Sequence, residues 1–227
     1  MTASGVRARV RAELTKEIAD VARKHLAESG AVGLSLRAVA RELGMASSAV
    51  YRYFPSRDDL LTTLIIDAYD AIGAAAEAAD RAAGPALMDR WRAACVAVRA
   101  WALANPHEWG LVYGSPVPGY AAPQTTVASA ARLPMVLIGV VRDGLADGTV
   151  TDPGEGTDTV LRAGLDTDLG LPESADASLG SLSVLVWSSL IGTITFEVFG
   201  QFTNTVEDRD RYFAITIDRL AALVGLR

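Results

Sequence analysis

The sequence predicts an all-α fold, with an N-terminal three-helix domain that contains a helix-turn-helix and a larger helical body behind it. Three observations predict this. Apolar residues recur at helical spacing, no stretch alternates between apolar and polar residues as a half-buried strand does, and residues 35–54 read as two short helices separated by Gly44. The length of 227 residues, half of them hydrophobic, allows one or two globular domains with a sizeable core.

The first predicted helix runs from Val10 to Glu28, and Ser29-Gly30 ends it. Apolar residues recur at every fourth position of this segment and predict one buried stripe along the helix: Val10, Leu14, Ile18, Ala22 and Leu26.

The next two helices are predicted to form the helix-turn-helix. Ser35 can cap the first of them, and Gly44 ends it, because glycine enters the left-handed conformation at low cost. The second begins at Ala46 or Ser47. Small Ala40 lies where the helices cross, Val50 packs back on the first helix, and Phe54 lies one turn beyond. This geometry fits the DNA major groove, although a helical hairpin with a solvated face has similar spacing.

The remaining helices are predicted from apolar periodicity and from break signals. Ser56 followed by two acidic residues is typical of a helix start. The predicted segments are 57–83, 85–104, one containing 127–140, a short one at 159–164, 182–199 and 209–224. Polar residues interrupt segment 182–199, which favours a buried bundle or interface helix over a membrane span. We divide the chain into domains 1–56 and 57–227.

Charge is distributed unevenly between these domains. The chain has a net charge of −6, but residues 1–57 carry ten basic and five acidic side chains. A basic N-terminal segment on an acidic body is the pattern that attraction to phosphate requires.

No catalytic or metal-binding pattern is predicted. The chain has two histidines, far apart, and one cysteine, so we expect no metal, no cofactor and no enzymatic activity. Cys95 lies among apolar residues and reads as a buried thiol, and His25 reads as a core residue. A single cysteine and the lack of a signal-peptide pattern predict a cytoplasmic protein without a membrane partner.

Residues 10–66 resemble the N-terminal domain of the TetR family of bacterial transcriptional regulators. The features that carry the resemblance are the first helix, Leu34–Ala40, Leu43–Ala46, Val50–Arg57 and Asp59–Leu61. Residues 106–123 resemble the WHG-type regulatory domain of the same family. The resemblance implies a homodimer that binds double-stranded operator DNA, most simply a repressor released by a small hydrophobic effector. The alternative is a helical interaction or ligand-binding protein, or an enzyme, that does not act through DNA.

The residues expected to bind DNA lie on the exposed side of the helix-turn-helix. Geometry turns Ser47, Ser48, Tyr51, Arg52 and Tyr53 outward. The resemblance implies that the first four face the major groove and that phosphates are contacted by a further set: Ser35, Arg37, Tyr53 and Arg57. Arg52 can contact either a base edge or a phosphate.

The body is expected to hold an effector pocket. Aromatic side chains are plausible walls for it, and His107 or Glu108 is a plausible polar group. The predicted pocket residues are Trp91, Trp101, His107, Trp109, Tyr113, Tyr120 and Phe196. Plain core packing is the alternative for each aromatic residue.

Dimerisation is expected because one helix-turn-helix buries little surface, whereas a dimer contacts two half-sites about 34–36 Å apart. The last two helices are predicted to form a four-helix bundle across the dimer. The residues assigned to this interface are Trp187, Leu190, Ile191, Ile194, Val198, Phe213, Ile217, Leu220 and Val224. The alternative is that both helices are buried within one subunit.

Overall fold

A computed structural model describes residues 3–150 and 177–227, and within these ranges it contains helices and no strand, as predicted. The helices are α1 (Ala3–Gly33), α2 (Leu36–Glu42), α3 (Ser47–Val50), α4 (Arg57–Ala82), α5 (Leu87–Ala104), α6 (Pro106–Tyr113), α7 (Val127–Asp147), α8 (Ala177–Val198) and α9 (Arg209–Leu223). A single 3-10 turn, Gln124–Thr126, precedes α7. The helix predicted at 159–164 lies outside the described residues.

The chain packs into two compact units. The N-terminal unit comprises residues up to Ala68 together with His107–Val127, and the C-terminal unit comprises Tyr69–Pro106 together with the residues from Ala128 onward. Helix α4 therefore contributes residues to both units, and the segment after α5 returns to the N-terminal unit.

Helix α1 begins earlier than the predicted Val10 and is kinked at Gly30, where φ is 68°. The kink coincides with the predicted stop at Ser29-Gly30. The predicted apolar stripe is confirmed at Ile18, Ala22 and Leu26, which are buried, but it is wrong for Val10, which is 44% exposed. The first turns of α1 extend past the core, so an apolar side chain there stays exposed although it recurs at helical spacing.

The core of the N-terminal unit unites α1, α2, α3 and the first half of α4. Ala40, Val50 and Phe54 are buried in it, as their predicted packing roles require. Residues of the segment 107–127 also pack against this core, and the hydroxyl groups of Thr62 and Tyr120 lie 2.9 Å apart.

Helix α6 is not predicted from the sequence. It spans eight residues, and Pro106 occupies its first position, where the missing N–H costs no hydrogen bond. Trp109 on this helix is fully buried. The helix is too short for a clear apolar period, which explains why the sequence analysis missed it.

In the C-terminal unit α5, α8 and α9 pack on one another. The buried indole Nε1 of Trp91 donates a 2.9 Å hydrogen bond to the carbonyl oxygen of Ile217 and ties α5 to α9. Helix α7 is joined to the second half of α4 by Arg132, which lies 2.8 Å from Glu77 and 2.9 Å from Asp70.

Two stretches, Gln124–Asp147 and Leu179–Val198, are long and apolar enough to cross a bilayer by length and composition alone. Both carry ion-paired residues within the C-terminal unit. Glu197 of α8, which is buried, binds Arg99, and Arg132 of α7 binds Glu77. The apolar side chains of Leu190 and Ile194 on α8 are fully buried, as a bundle helix requires.

Candidate nucleic-acid interface and internal cavity

The turn between α2 and α3 is built by local hydrogen bonds. The Ser35 hydroxyl accepts a hydrogen bond from the backbone N–H of Ala38, at 3.5 Å, and caps α2 as predicted. Gly44 has φ of 65°, and Met45 N–H donates to the Ala40 carbonyl oxygen at 2.9 Å across the turn. These bonds satisfy the end of α2 and direct the chain into α3.

The recognition helix is short. Regular helix covers Ser47–Val50, and hydrogen-bonded turns extend it to Phe54, whose N–H donates to the Val50 carbonyl oxygen at 3.0 Å. Sequence reasoning placed its start at Ala46 or Ser47, and the structure places it at Ser47.

The predicted DNA-contacting residues are accessible to different degrees in the N-terminal unit. Arg37, Ser48, Tyr51 and Arg52 are exposed on α2, α3 and the turns after α3. A second group is half-buried: Ser35, Ser47, Tyr53 and Arg57. The exposed group contains two arginines and a tyrosine, which are side chains that contact phosphates and base edges.

Arg11 of α1 contacts the turns that follow α3. Its Nη2 donates a 3.1 Å hydrogen bond to the carbonyl oxygen of Arg52, and its guanidinium lies 5.2 Å from the centre of the Tyr53 ring. Positive charge at the C-terminal end of a helical segment and over an aromatic face is favourable. Sequence reasoning did not assign this role to Arg11, because its partners are about forty positions away in the chain.

Arg57 binds the backbone of the N-terminal unit. Its Nε donates to the carbonyl oxygen of Leu34 at 3.2 Å, and its Nη2 donates to that of Ala31 at 2.6 Å. The third nitrogen, Nη1, lies 3.7 Å from the Asp58 carboxylate. The phosphate contact expected of Arg57 stays a prediction.

Glu42 of α2 joins this helix to α1 through two side-chain contacts. Its carboxylate lies 2.8 Å from Lys24 Nζ and 2.6 Å from His25 Nε2. The hydrogen bond from Lys24 lowers the pKa of Glu42, and the same bond raises the pKa of Lys24. His25, expected to be a core residue, is thus a largely buried partner of a carboxylate.

Glu108, one of the two polar groups considered for a pocket, lies in the N-terminal unit, 3.3 Å from Arg23 Nε. Burial raises the pKa of Glu108, and the positive charge of Arg23 opposes this shift without cancelling it. The other candidate, His107, is exposed.

A cavity of about 290 Å³ lies within the C-terminal unit. Helices α5 and α7 contribute Trp91, Pro134, Leu137, Ile138 and Val141 to its walls, and α8 contributes Ser183, Val184, Val186 and Trp187. Val224, directly after α9, also lines the cavity, and none of these ten described residues is charged.

The predicted pocket residues are not brought together in this cavity. Trp91 lines it, whereas Trp101 and Phe196 belong to the same unit but are not among its walls. Four others lie in the N-terminal unit: His107, Trp109, Tyr113 and Tyr120. Sequence reasoning searched for aromatic walls, and it missed this site because most of the lining is aliphatic.

The predicted interface residues divide into two groups. Six are buried within the chain: Leu190, Ile194, Phe213, Ile217, Leu220 and Val224. Trp187, Ile191 and Val198 are half-buried. Another set of large apolar side chains on or next to α8 and α9 is 40–52% exposed: Leu185, Phe196, Phe199, Tyr212, Ile215 and Leu223.

Over residues 3–150 and 177–227 no group of three or more histidine, cysteine or acidic side chains could hold a metal ion. Cys95 is buried, and burial raises the pKa of its thiol well above the ordinary range. A thiol of this kind is inert at neutral pH.

Two family models match the chain. Residues 18–64 match the bacterial regulatory proteins of the tetR family, and residues 91–220 match the tetracyclin repressor-like C-terminal domain. HTH-type transcriptional regulators of Mycobacterium tuberculosis H37Rv and Mycobacterium bovis are each 41% identical to the chain over 209 residues, which is 87% of this chain and 86% of theirs.

Solved structures agree with this result. The crystal structure of the regulatory protein SCO4313 superposes with a TM-score of 0.76 and 35% identity, covering 94% of this chain and 98% of that one. A tetR family regulatory protein from Rhodococcus RHA1 shares the fold at a TM-score of 0.62 and 16% identity, covering 94% and 97% of the two chains. The chain therefore belongs to the TetR family and is a DNA-binding transcriptional regulator.

Proposed function

We propose that the chain is a cytoplasmic homodimeric repressor that binds a palindromic operator and leaves it when a small hydrophobic ligand enters the C-terminal unit. The observation that carries the DNA-binding part is the exposure of Arg37, Tyr51 and Arg52 on one helix-turn-helix within a basic N-terminal segment. Arg37 is assigned to a phosphate at the start of α2. Arg52 is assigned to a base edge, with its own backbone held by Arg11.

Dimerisation is supported by the exposed apolar side chains of α8 and α9. Leu185, Phe196 and Phe199 recur on one side of α8, and Tyr212 and Ile215 lie on α9. Ring contacts join the two groups, because Phe202 lies 5.8 Å from Phe196 and 5.3 Å from Tyr212 between ring centres. We assign the interface to this exposed stripe, in place of the residues that the sequence analysis selected, six of which are buried and three half-buried.

Release by a ligand requires two conformations that bind the ligand with unequal affinity. Helix α4 is suited to connect ligand binding with DNA binding, because residues 57–68 belong to the N-terminal unit and residues 69–82 to the C-terminal unit. A shift of α4 would change the distance between the two helix-turn-helix units of the dimer, which each bind one half-site.

The DNA part is tested by titrating a labelled fragment of the protein's own promoter at several salt concentrations. The double variant Arg37→Ala/Arg52→Ala should bind more weakly, and each lost phosphate contact should reduce the slope of log K against log salt by about one. The matched control Arg142→Ala/Arg227→Ala removes two exposed charges from the C-terminal unit and should leave affinity almost unchanged. Equal binding by the Arg37/Arg52 variant and the wild type would overturn the assignment.

The dimer is tested by light scattering at micromolar concentration. The wild type should show twice the 23.9 kDa chain mass, and Phe196→Glu/Ile215→Glu should show the single-chain mass. Val96→Glu places the same charge at a side chain that is 52% exposed on α5 and should stay dimeric. A monomeric wild type would contradict the proposal.

A further inference from the structure

We infer that the cavity of the C-terminal unit binds a neutral, largely apolar small molecule with one hydrogen-bond acceptor, and that Trp187 Nε1 donates to this acceptor. The regulatory meaning of this binding rests on the proposed function, whereas the binding itself can be measured without DNA.

The lining residues within 3–150 and 177–227 disfavour a charged ligand. They are mainly valine, leucine, isoleucine, proline and tryptophan, and none of them carries a formal charge. Moving an ion from water into such a site without a partner is strongly unfavourable. An apolar molecule loses no hydrogen bonds on entry and gains from the burial of its surface.

Among the lining residues that the structure describes, the polar side-chain atoms make hydrogen bonds within the chain, with one exception. Trp91 Nε1 donates to the Ile217 carbonyl oxygen at 2.9 Å, and Ser183 Oγ donates to the Leu179 carbonyl oxygen at 2.8 Å. Trp187 Nε1 is buried and has no acceptor within the part of the chain that the structure describes. Buried N–H groups in native proteins nearly always have a partner, so an unpaired one on a residue that lines a cavity is suited to an acceptor on a bound ligand.

The hydrogen bonds that these side chains already make limit the number of polar contacts that a ligand can form. The described lining offers one unpaired side-chain N–H donor, at Trp187, while the Ser183 hydroxyl already donates its hydrogen bond to the Leu179 carbonyl oxygen. A carbonyl or ether oxygen satisfies the indole. A ligand with several donors would leave most of them unpaired and would bind poorly. The volume of about 290 Å³ is near the lower end for ligand pockets and favours a small molecule.

The test compares two probes of nearly equal shape, acetophenone and isopropenylbenzene, in which a carbonyl oxygen replaces a methylene group. Their dissociation constants are measured by calorimetry on the full chain. Trp187→Phe keeps an aromatic ring but removes the donor, so it should weaken acetophenone binding about fivefold relative to isopropenylbenzene binding. Trp101→Phe, outside the cavity walls, is the matched control and should leave this ratio unchanged.

A second measurement does not need a ligand. Because Trp187→Phe removes an unsatisfied buried donor, the variant should unfold at the same temperature as the wild type or at a higher one. Ile138→Trp fills the cavity and should abolish binding of both probes. An unchanged binding ratio in Trp187→Phe, or no binding of either probe to the wild type, would overturn the inference.

Failure of this inference is distinguishable from failure of the proposed function. If the wild type binds its promoter fragment but the Trp187 variant shows no change in probe preference, the ligand assignment is wrong and the DNA assignment stands. If the probes discriminate as expected but the promoter is not bound, the cavity assignment stands and the proposed function is wrong.

Discussion

Arg57 Nη2 donates a 2.6 Å hydrogen bond to the carbonyl oxygen of Ala31, just beyond the kink at Gly30. A second bond, 3.2 Å from Nε to the Leu34 carbonyl oxygen, holds the link between α1 and α2. Carbonyl groups at a helix end lack partners within the helix, and the first residue of α4 supplies them here. Arg57 therefore connects three helices of the N-terminal unit.

We expect Arg57→Ala to lower the free energy of unfolding by about 2 kcal/mol, the usual contribution of hydrogen bonds from a charged donor. Arg57→Lys should recover only part of this loss, because a single ammonium group does not reproduce the fork geometry of a guanidinium. Urea denaturation measures both. Arg37→Ala, at an exposed arginine of α2, is the control and should change stability by less than about 0.5 kcal/mol. Equal stability of the two alanine variants would contradict this role.

Gly44→Ala should destabilise the helix-turn-helix by about 1–2 kcal/mol, because an L side chain is strained at φ of 65°. No atom lies within 4 Å of an added Cβ at this position, so the cost is conformational and not steric. Gly139→Ala is a matched control in helix α7, where an added Cβ also meets nothing within 4 Å. It should stabilise the chain by about 0.5–1 kcal/mol through helix propensity. The prediction fails if denaturation shows the same change for both variants.

The stability of the Glu108→Gln variant should depend on pH in a defined direction. Burial raises the pKa of Glu108 above its ordinary value of 4.5, so the folded chain holds this proton more tightly than the unfolded chain. The wild type therefore loses stability as pH rises from about 4.5 through the raised pKa, whereas glutamine does not titrate. The free energy of unfolding of Glu108→Gln relative to the wild type should therefore increase across this pH window, and the difference should persist at pH 7.

Denaturation at pH 4 and pH 7 measures this difference, and a carbon-detected NMR titration of the Glu108 carboxyl gives its pKa directly. Glu28→Gln is the control at an exposed glutamate of α1. A difference between variant and wild type that does not change with pH would show that Arg23 cancels the effect of burial on the pKa of Glu108, and a change in the opposite direction would show that Arg23 outweighs it.

Local chemistry explains what the sequence could predict. Ser35, Gly44 and Ser56 act through hydrogen bonds or backbone conformations within a few residues of themselves, so their roles as caps and turn are visible without the fold. The same holds for the helix-turn-helix core, because Ala40 and Val50 are separated by a single turn of known geometry.

Contacts between distant segments explain what it could not predict. The burial of Trp109 depends on the return of residues 107–127 to the N-terminal unit, which apolar periodicity does not encode. The apolar residues of helix α8 are spread around its circumference and are not confined to one face, so sequence alone did not separate buried Leu190 from exposed Phe196. The vacant donor of Trp187 is likewise a property of packing, since the sequence provides four tryptophans and no sign of which indole lacks an acceptor.

The ion pair between Arg99 and Glu197 should contribute far more to stability than an exposed pair of the same geometry. Two hydrogen bonds of 2.6 and 2.7 Å join the side chains, and the Glu197 side chain is only 6% exposed. Arg99 also lies 4.9 Å from the centre of the Phe213 ring. Without Glu197, the Arg99 charge keeps only Asp210, which lies 2.8 Å away but is 90% exposed, so solvent screens the remaining pair.

We therefore expect Glu197→Gln to lower the free energy of unfolding by about 3 kcal/mol, measured by urea denaturation. Asp218→Asn is the matched control, because Asp218 makes a similar two-bond contact with Arg92 while both side chains stay more than 40% exposed. That variant should lose less than about 1 kcal/mol, since solvent screens the exposed pair. The double variant Arg99→Met/Glu197→Met should recover much of the loss, because two packed apolar side chains leave no buried unpaired charge and Asp210, the other partner of Arg99, is exposed to solvent. If Glu197→Gln is no more destabilising than Asp218→Asn, burial does not strengthen the pair between α5 and α8.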